Sequence, residues 1–182
     1  MFVISAPSGT GKSTIIELVM KQLPELKKPV SYTTRQKRNG EKDGVDYNFI
    51  SSDEFKNKIS NGDLIEWATV YNNFYGTSME YLSKELAKGA FLIKDIDTQG
   101  VLQLKGKLKD RAILIFIEPR SLTELEKRIR DRGKDDNATI EKRMSCARSE
   151  MAQAPKYDHR IVNKDLNSAV RALKDIISGY IK

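Results

Sequence analysis

The 182-residue chain contains one cysteine, one histidine and one tryptophan. Cys146 alone cannot form an internal disulfide, which fits a reducing compartment. A zinc site would have too few sulfur and imidazole ligands. Long hydrophobic runs are also missing. The longest clean one, Ala112 to Ile117, is closed by Arg111 and Glu118. A run that short cannot cross a bilayer, but it suits a strand buried on both faces. Met1 leads straight into Phe2-Val3-Ile4 with no basic segment ahead of it, so no secretory signal is expected. No repeat, low-complexity block or long linker interrupts the chain. These absences point to a cytoplasmic protein with no membrane partner, built on one sizeable core with small appendages.

The formal net charge is +7, which raises nucleic acid as a partner. The basic residues, however, are spread along the chain and interleaved with acids. That pattern reads as a solvated lysine-rich surface plus a few phosphate-binding arginines, so no nucleic-acid partner is expected.

Strand-like and helix-like runs alternate, which argues for an α/β fold with a mainly parallel sheet. Ile15, Ile16, Val19, Met20 and Leu23 recur at helical spacing until Pro24. A strand-rich excursion follows and runs to about Gly76, with turn signals at Asn39-Gly40 and Asp43-Gly44. Within it, Ser51 to Glu54 reads as a capping box opening a short helix. The core pattern resumes with a helix around residues 78–87 and strands at 91–95 and 112–117. A second capping box at Ser121 to Glu124 opens an arginine-bearing helix. An amphipathic helix marked by Ile140, Met144, Ala147 and Met151, a strand at 160–163 and a terminal helix complete the chain. Cys146 is expected in or near the core and His159 at the surface.

The stretch "APSGTGKST", residues 6–14, follows directly on the first strand and opens the first helix. Glycines let backbone N–H groups turn inward, a helix N-terminus adds its dipole, and a lysine supplies mobile positive charge. This is the build of a phosphate cradle. In that reading the N–H groups of Ser8, Gly9, Thr10, Gly11, Lys12, Ser13 and Thr14 hold ATP phosphates. Lys12 reaches the β and γ groups, and the Ser13 hydroxyl binds Mg²⁺. Ala6 stands where the usual pattern begins with glycine. Asp95, at the end of an apolar strand, is a candidate magnesium residue acting through water. Lys94 is an oddity, a charge in a strand that should be buried.

The segments "SYTTRQKRNGEKDGVDY", "IEWATVYNNFYGTS" and "DIDTQG", with "RDRG" and "IEKRM", closely resemble guanylate kinase, over practically the whole chain and in the right order. The resemblance implies a P-loop NTPase-type core with a five-stranded parallel sheet over residues 1–31, 78–120 and 148–182. It also implies a strand-rich GMP-binding region at 32–77 and a helical lid at 121–147. The implied reaction moves the γ-phosphoryl group of Mg-ATP to GMP or dGMP, giving ADP and GDP.

Residue by residue, the resemblance places Ser31, Arg35, Arg38, Tyr47 and Tyr75 around the GMP phosphate. It places Glu66, Thr77 and Asp97 at the guanine and ribose. Guanine presents N1–H and N2–H₂ side by side, two donors for one carboxylate, whereas adenine presents an acceptor there. Such a polar mismatch discriminates by roughly 10⁴-fold. Arg128, Arg132 and Arg143 match the lid arginines, Arg128 on the ATP side with Asn163, which matches the adenine side. Lys12, Arg38, Arg132 and Arg143 would be the catalytic set. Lys37 replaces a usual proline and Lys164 a usual aspartate. Two alternatives remain: a non-catalytic guanylate-kinase-like domain binding phosphopeptides, a class that typically lacks the phosphate loop kept here, and a same-fold kinase acting on another phosphorylated ribose or nucleotide, against which Glu66 and Thr77 argue. The oligomeric state stays open between monomer and homodimer.

Overall fold

The computed structural model describes residues 1–70, 72–131, 133 and 135–181. The first half of the chain runs β1 (Phe2–Ser5), α1 (Lys12–Gln22), β2 (Leu26–Lys27), β3 (Tyr32–Thr33), β4 (Asn48–Phe49), α2 (Ser52–Ser60), β5 (Leu64–Val70) and β6 (Asn73–Ser78). It continues through α3 (Met79–Ala87), β7 (Phe91–Asp95), α4 (Thr98–Leu108), β8 (Ile113–Pro119), α5 (Leu122–Asp131), α6 (Asn137–Met151), β9 (His159–Asn163) and α7 (Leu166–Tyr180). The class is α/β, with a five-stranded parallel sheet and a smaller four-stranded sheet. Two compact units divide the chain. One comprises Met1 and Leu26–Ala112, the other Phe2–Glu25 and Ile113–Lys182.

In the second unit β1, β8 and β9 are parallel, with Ser5 opposite Phe116 and Pro119 opposite Asn163. Their carboxyl ends therefore lie along one edge, where α/β folds place ligands. β1 is buried throughout, as is β8 from Leu114 onward, so both read as continuous apolar runs rather than alternating ones. Helix α1 packs on α7 through apolar stripes, Ile15, Ile16 and Val19 on one and Ala169, Val170, Leu173 and Ile177 on the other. Leu125, Ile129, Ile140, Met144 and Ala147 form a separate small core joining α5 to α6. Cys146 corrects an expectation. It lies on α6 but is exposed, because the buried positions 140, 144 and 147 face the other way.

The first unit holds the four-stranded sheet, ordered β4-β3-β6-β5. Its capping box forms as expected. Ser51 Oγ accepts from the Glu54 N–H at 3.2 Å, and the Glu54 carboxylate accepts from the Ser51 N–H at 2.8 Å. Phe55 of α2 is fully buried and stacks on Phe74, ring centroids 5.2 Å apart. Trp67 meets Phe74 edge-on at 6.1 Å, which accounts for this ring as packing. Helix α4 was not legible in the sequence. Its buried Val101, Leu104 and Leu108 keep helical spacing, but Gly100 and Gly106 and alternating lysines dilute the signal.

Packing around Phe55 sets the first prediction. A Cβ at Gly76 would lie 2.9 Å from both Phe55 Cζ and Leu64 Cδ1. Phe55→Ala should lower unfolding free energy by about 3–5 kcal/mol through cavity formation. Gly76→Ala should cost about 1–3 kcal/mol through overpacking. Urea titration followed by circular dichroism checks both.

Candidate active site

The phosphate loop leaves β1 at Ala6, which is buried and keeps a negative φ. Among the described non-glycine residues only Asn72 and Lys109 have positive φ. Alanine therefore suffices at that place. A turn closes from the Thr10 N–H to the Pro7 carbonyl at 3.1 Å. Gly9 and Gly11 then adopt φ of 95° and 91°, left-handed conformations that only glycine takes cheaply. A Cβ on Gly9 would also stand 3.2 Å from Leu125 Cδ1 and Ile129 Cγ1, so α5 packs tightly against the loop.

Helix α1 starts at Gly11 with no side-chain cap and no acid in its first turn. The other α-helices are capped by Ser51, Ser78, Asp97, Ser121, Asp136 and Asp165. Among the described residues, no N-cap side chain and no first-turn acid therefore satisfies the first N–H groups of α1 or the positive end of its dipole. An anion is their natural partner. Lys12, Ser13 and Thr14 stand on this first turn, with Ser13 and Thr14 exposed.

Asn163 is buried at the end of β9, and its Nδ2 donates to the Thr10 carbonyl at 2.7 Å. Its Oδ1 has no hydrogen-bond partner among the described residues. Its amide is thus engaged with the loop backbone. Arg128 on α5 pairs with Glu124 at 2.6 Å. Arg143 on α6 lies 3.2 Å from Asp135. Arg132 lies outside the described residues.

A second cluster belongs to the first unit. The Arg35 guanidinium donates to Glu41 at 2.6 Å and to the Gln36 carbonyl at 2.7 Å. It lies over the rings of Tyr47, at 5.5 Å, and Phe49, at 5.8 Å. Tyr47 and Tyr75 meet edge to face at 5.9 Å. Burial, helped by the charge of Asp95, pushes the Tyr47 hydroxyl up to about 12, so it remains an O–H donor at neutral pH. Glu41 is the residue that sequence reasoning missed. Its other oxygen accepts the Arg38 N–H at 2.8 Å, so one carboxylate ties both arginines, and Arg35 holds it below its ordinary range. The signal was its place three residues after Arg38, across the Asn39-Gly40 turn. Arg38 itself is exposed, and Ser31 is buried with its carbonyl accepting from Asn48 at 2.8 Å.

Glu66 is 5% exposed, an unusual place for a carboxylate. A register shift between Leu64 and Glu66 explains it. Leu64 pairs with Ser78 and Glu66 with Thr77, so Ile65 is a bulge, and three successive residues are buried instead of alternating. The Thr77 hydroxyl donates to Glu66 Oε1 at 2.6 Å. On the other side a Cβ at Gly100 would come within 2.5 Å of Glu66 Oε2, so α4 approaches the carboxylate as closely as glycine permits. Burial pushes the Glu66 carboxyl above its ordinary value, while the Thr77 bond and Lys94 oppose that shift and Asp97 and Asp95 add to it.

Lys94 is buried as well, its ammonium donating to the Pro29 carbonyl at 3.3 Å with the Asp95 carboxylate 4.0 Å away. The oddity thus has an electrostatic setting, a cation that interacts with the carboxylates of Glu66 and Asp95. Asp95 also pairs with Lys28 at 3.4 Å. Asp97 caps α4, accepting the Gln99 N–H at 2.9 Å. The structure thus brings Arg35, Tyr47 and Tyr75 into one cluster. It brings Glu66, Thr77, Lys94, Asp95 and Asp97 into another.

Comparison with known proteins gives a consistent result. The family model for guanylate kinase matches residues 1–180. The guanylate kinase of Pseudoalteromonas translucida is 43% identical over 177 residues, 97% of this chain and 85% of that protein. That of Shewanella frigidimarina is 46% identical over 178 residues, 97% of this chain and 86% of that protein. The crystal structure of guanylate kinase from Anaplasma phagocytophilum superposes with a TM-score of 0.79 at 32% identity, covering 99% of this chain and 85% of that one. A match of this extent, on a chain with an uncapped phosphate loop and a buried carboxylate, identifies it as a member of the guanylate kinase family.

Proposed function

We propose that the protein is an ATP:GMP phosphotransferase, moving the γ-phosphoryl group of ATP to GMP and dGMP and giving ADP and GDP. The observation that carries this reading is Glu66, a buried carboxylate oriented by the Thr77 hydroxyl. A buried carboxylate flanked by a hydroxyl suits the adjacent N1–H and N2–H₂ donors of guanine. Adenine would leave it facing an acceptor, at a large loss of affinity. Asp97 stands beside it for the base and ribose. Recognition rests chiefly on the base edge and the phosphate, so dGMP is accepted alongside GMP.

Arg35, Arg38, Tyr47, Tyr75 and Ser31 would hold the acceptor phosphate. Planar guanidinium forks match a dianion, and protonated phenols add donors. On the donor side the N–H groups of residues 8, 9 and 11–14 would cradle the ATP phosphates, the Thr10 N–H being taken by the Pro7 carbonyl instead, with Lys12 on the β and γ groups and Arg128 and Asn163 contributing. The acceptor phosphate is itself an anionic nucleophile, so no side chain has to remove a proton. Arg38, Arg132 and Arg143 would offset the charge that spreads over the transferring group.

Magnesium fits the residues offered. Ser13 and, through water, Asp95 present oxygen donors only. Among the described residues no cluster of three or more acidic, histidine or cysteine side chains could cage a cation. Oxygen donors such as Ser13 and Asp95 suit an ion which keeps waters and takes most of its ligands from phosphates. When bound, Mg²⁺ would neutralise charge on the β and γ oxygens. The single, exposed cysteine supports a reducing cytoplasm as the setting, and no helix among the described residues is long and apolar enough to cross a membrane.

ADP release measured with GMP, dGMP, AMP, UMP and ribose phosphates tests the reading. GMP and dGMP should support turnover and the others little. Equal use of AMP would overturn it. Lys12→Ala should lower kcat by about 10²-fold or more with the fold intact, because an interaction with transferring phosphate is lost. Glu66→Gln should raise KM for GMP sharply and leave KM for ATP nearly unchanged.

The same substitution carries a stability prediction. The Glu66 carboxyl titrates higher in the folded chain than when unfolded. Its contribution is therefore most favourable below the unfolded value and declines as pH rises through the folded one. Glu66→Gln should accordingly unfold at higher urea than the parent at pH 8. The difference should shrink or vanish near pH 4, as parallel urea titrations at the two pH values would show.

A further inference from the structure

We propose that Asn163 is a positioning residue for phosphate binding, acting through the backbone of the loop rather than on the adenine ring. Its Nδ2 holds the Thr10 carbonyl at 2.7 Å, and both residues are buried. The peptide from Thr10 to Gly11 is trans, as are all those described. In a trans peptide the carbonyl and the following N–H point in opposite directions. Drawing the Thr10 carbonyl toward β9 therefore turns the Gly11 N–H the other way, into the concavity of the loop. Without that restraint the peptide could rotate and present a carbonyl oxygen, which repels anions, where a donor is needed.

Glycine at position 11 makes such rotation easy, since it lacks the Cβ that would confine φ. The neighbouring geometry agrees. A Cβ at Gly11 would come no closer than 3.6 Å to Asn163 Nδ2, so the φ of 91° is not imposed by crowding from that side chain. A hydrogen bond that fixes the peptide orientation supplies what sterics do not. The donor must be an amide. The substitution Asn163→Asp would set a carboxylate oxygen against the Thr10 carbonyl, two acceptors in the place of a donor and an acceptor, and would force one of them to turn away.

The inference rests on the ATP-binding reading above, and its test separates the two. Calorimetry with inorganic tripolyphosphate, adenosine and ATP compares the parent with Asn163→Asp and Asn163→Ala, with GMP binding and a cooperative melt as controls of folding. Tripolyphosphate and ATP should weaken by the same factor, tenfold or more in Asn163→Asp. Weaker ATP binding with unchanged tripolyphosphate binding would place Asn163 on the base and overturn the proposal, as would no change in either.

If both variants fail to fold, the ¹⁵N spectrum of the parent decides. The Gly11 amide should shift downfield on adding tripolyphosphate, and an unresponsive Gly11 overturns the proposal. A parent that binds tripolyphosphate through Gly11 but does not phosphorylate GMP would defeat the proposed function and leave this inference standing. A parent that does not bind tripolyphosphate defeats the phosphate cradle and the inference together.

Discussion

Backbone donors at the start of a helix must find acceptors, and at α1 the N-cap is a glycine, which offers no side-chain acceptor. Each of the other α-helices carries a serine or aspartate that closes its first turn. Such a cap is worth about 1 kcal/mol. Giving it up at α1 is tolerable only because the surrounding structure fixes the loop by other means. The Pro7–Thr10 turn, the contact of α5 with Gly9 and the Asn163 amide all hold backbone rather than side chains. The buried strand β1 anchors the near end and the apolar stripe of α1 the far end. On the proposed reading, phosphate binding thus rests on a short glycine-rich segment whose shape comes from its neighbours.

The first unit meets a parallel constraint with opposite charge. A carboxylate buried at Glu66 opposes stability unless its oxygens are satisfied. The bulge at Ile65 turns Glu66 inward without disturbing the apolar residues on either side, Thr77 satisfies one oxygen, and Gly100 leaves room for the other. Lys94 adds a buried positive charge to a neighbourhood that also holds Asp95 and Asp97. A strand that violates hydrophobic patterning at Lys94 and another that violates alternation at Glu66 are two parts of one electrostatic arrangement.

The same arrangement explains which features were legible. The phosphate loop, the capping box at Ser51 and the cap at Ser121 are local in sequence or carried by a distinctive motif, and they appear where expected, although at Ser121 only the bond from the Glu124 N–H is seen. The bulge is not local. It depends on how β5 registers against β6, which no pattern within β5 reveals, although three successive buried residues at 64–66 are its consequence. Glu41 was overlooked because one acid in a charged turn has no periodic signature. Helix α4 was hidden by its glycines, one of which is required by the close approach to Glu66. Asn163 matched a motif position, but its bond spans 153 residues of sequence, so its partner could be known only from the fold.

The arginines follow a common arrangement that bears on the proposed reaction. Arg35 pairs with Glu41, Arg128 with Glu124 and Arg143 with Asp135, each within its own unit. The Arg128–Glu124 pair is about a third exposed, and such pairs contribute at most about 1 kcal/mol, while the Arg35–Glu41 and Arg143–Asp135 pairs are more buried and offset much of their attraction by desolvation. A phosphate dianion makes shorter, charge-assisted and often bidentate bonds to guanidinium. Exchange of a carboxylate for a phosphate therefore favours the phosphate, at little loss of stability. Meanwhile the carboxylate keeps a long, flexible side chain near its working position and offsets like-charge repulsion among neighbouring arginines. On the proposed reading, a chain of net charge +7 can bring Arg35, Arg128 and Arg143 to phosphate because each of these three already has an acidic partner it can exchange. At Arg35, stacking over Tyr47 and Phe49 preserves the orientation even as that partner changes.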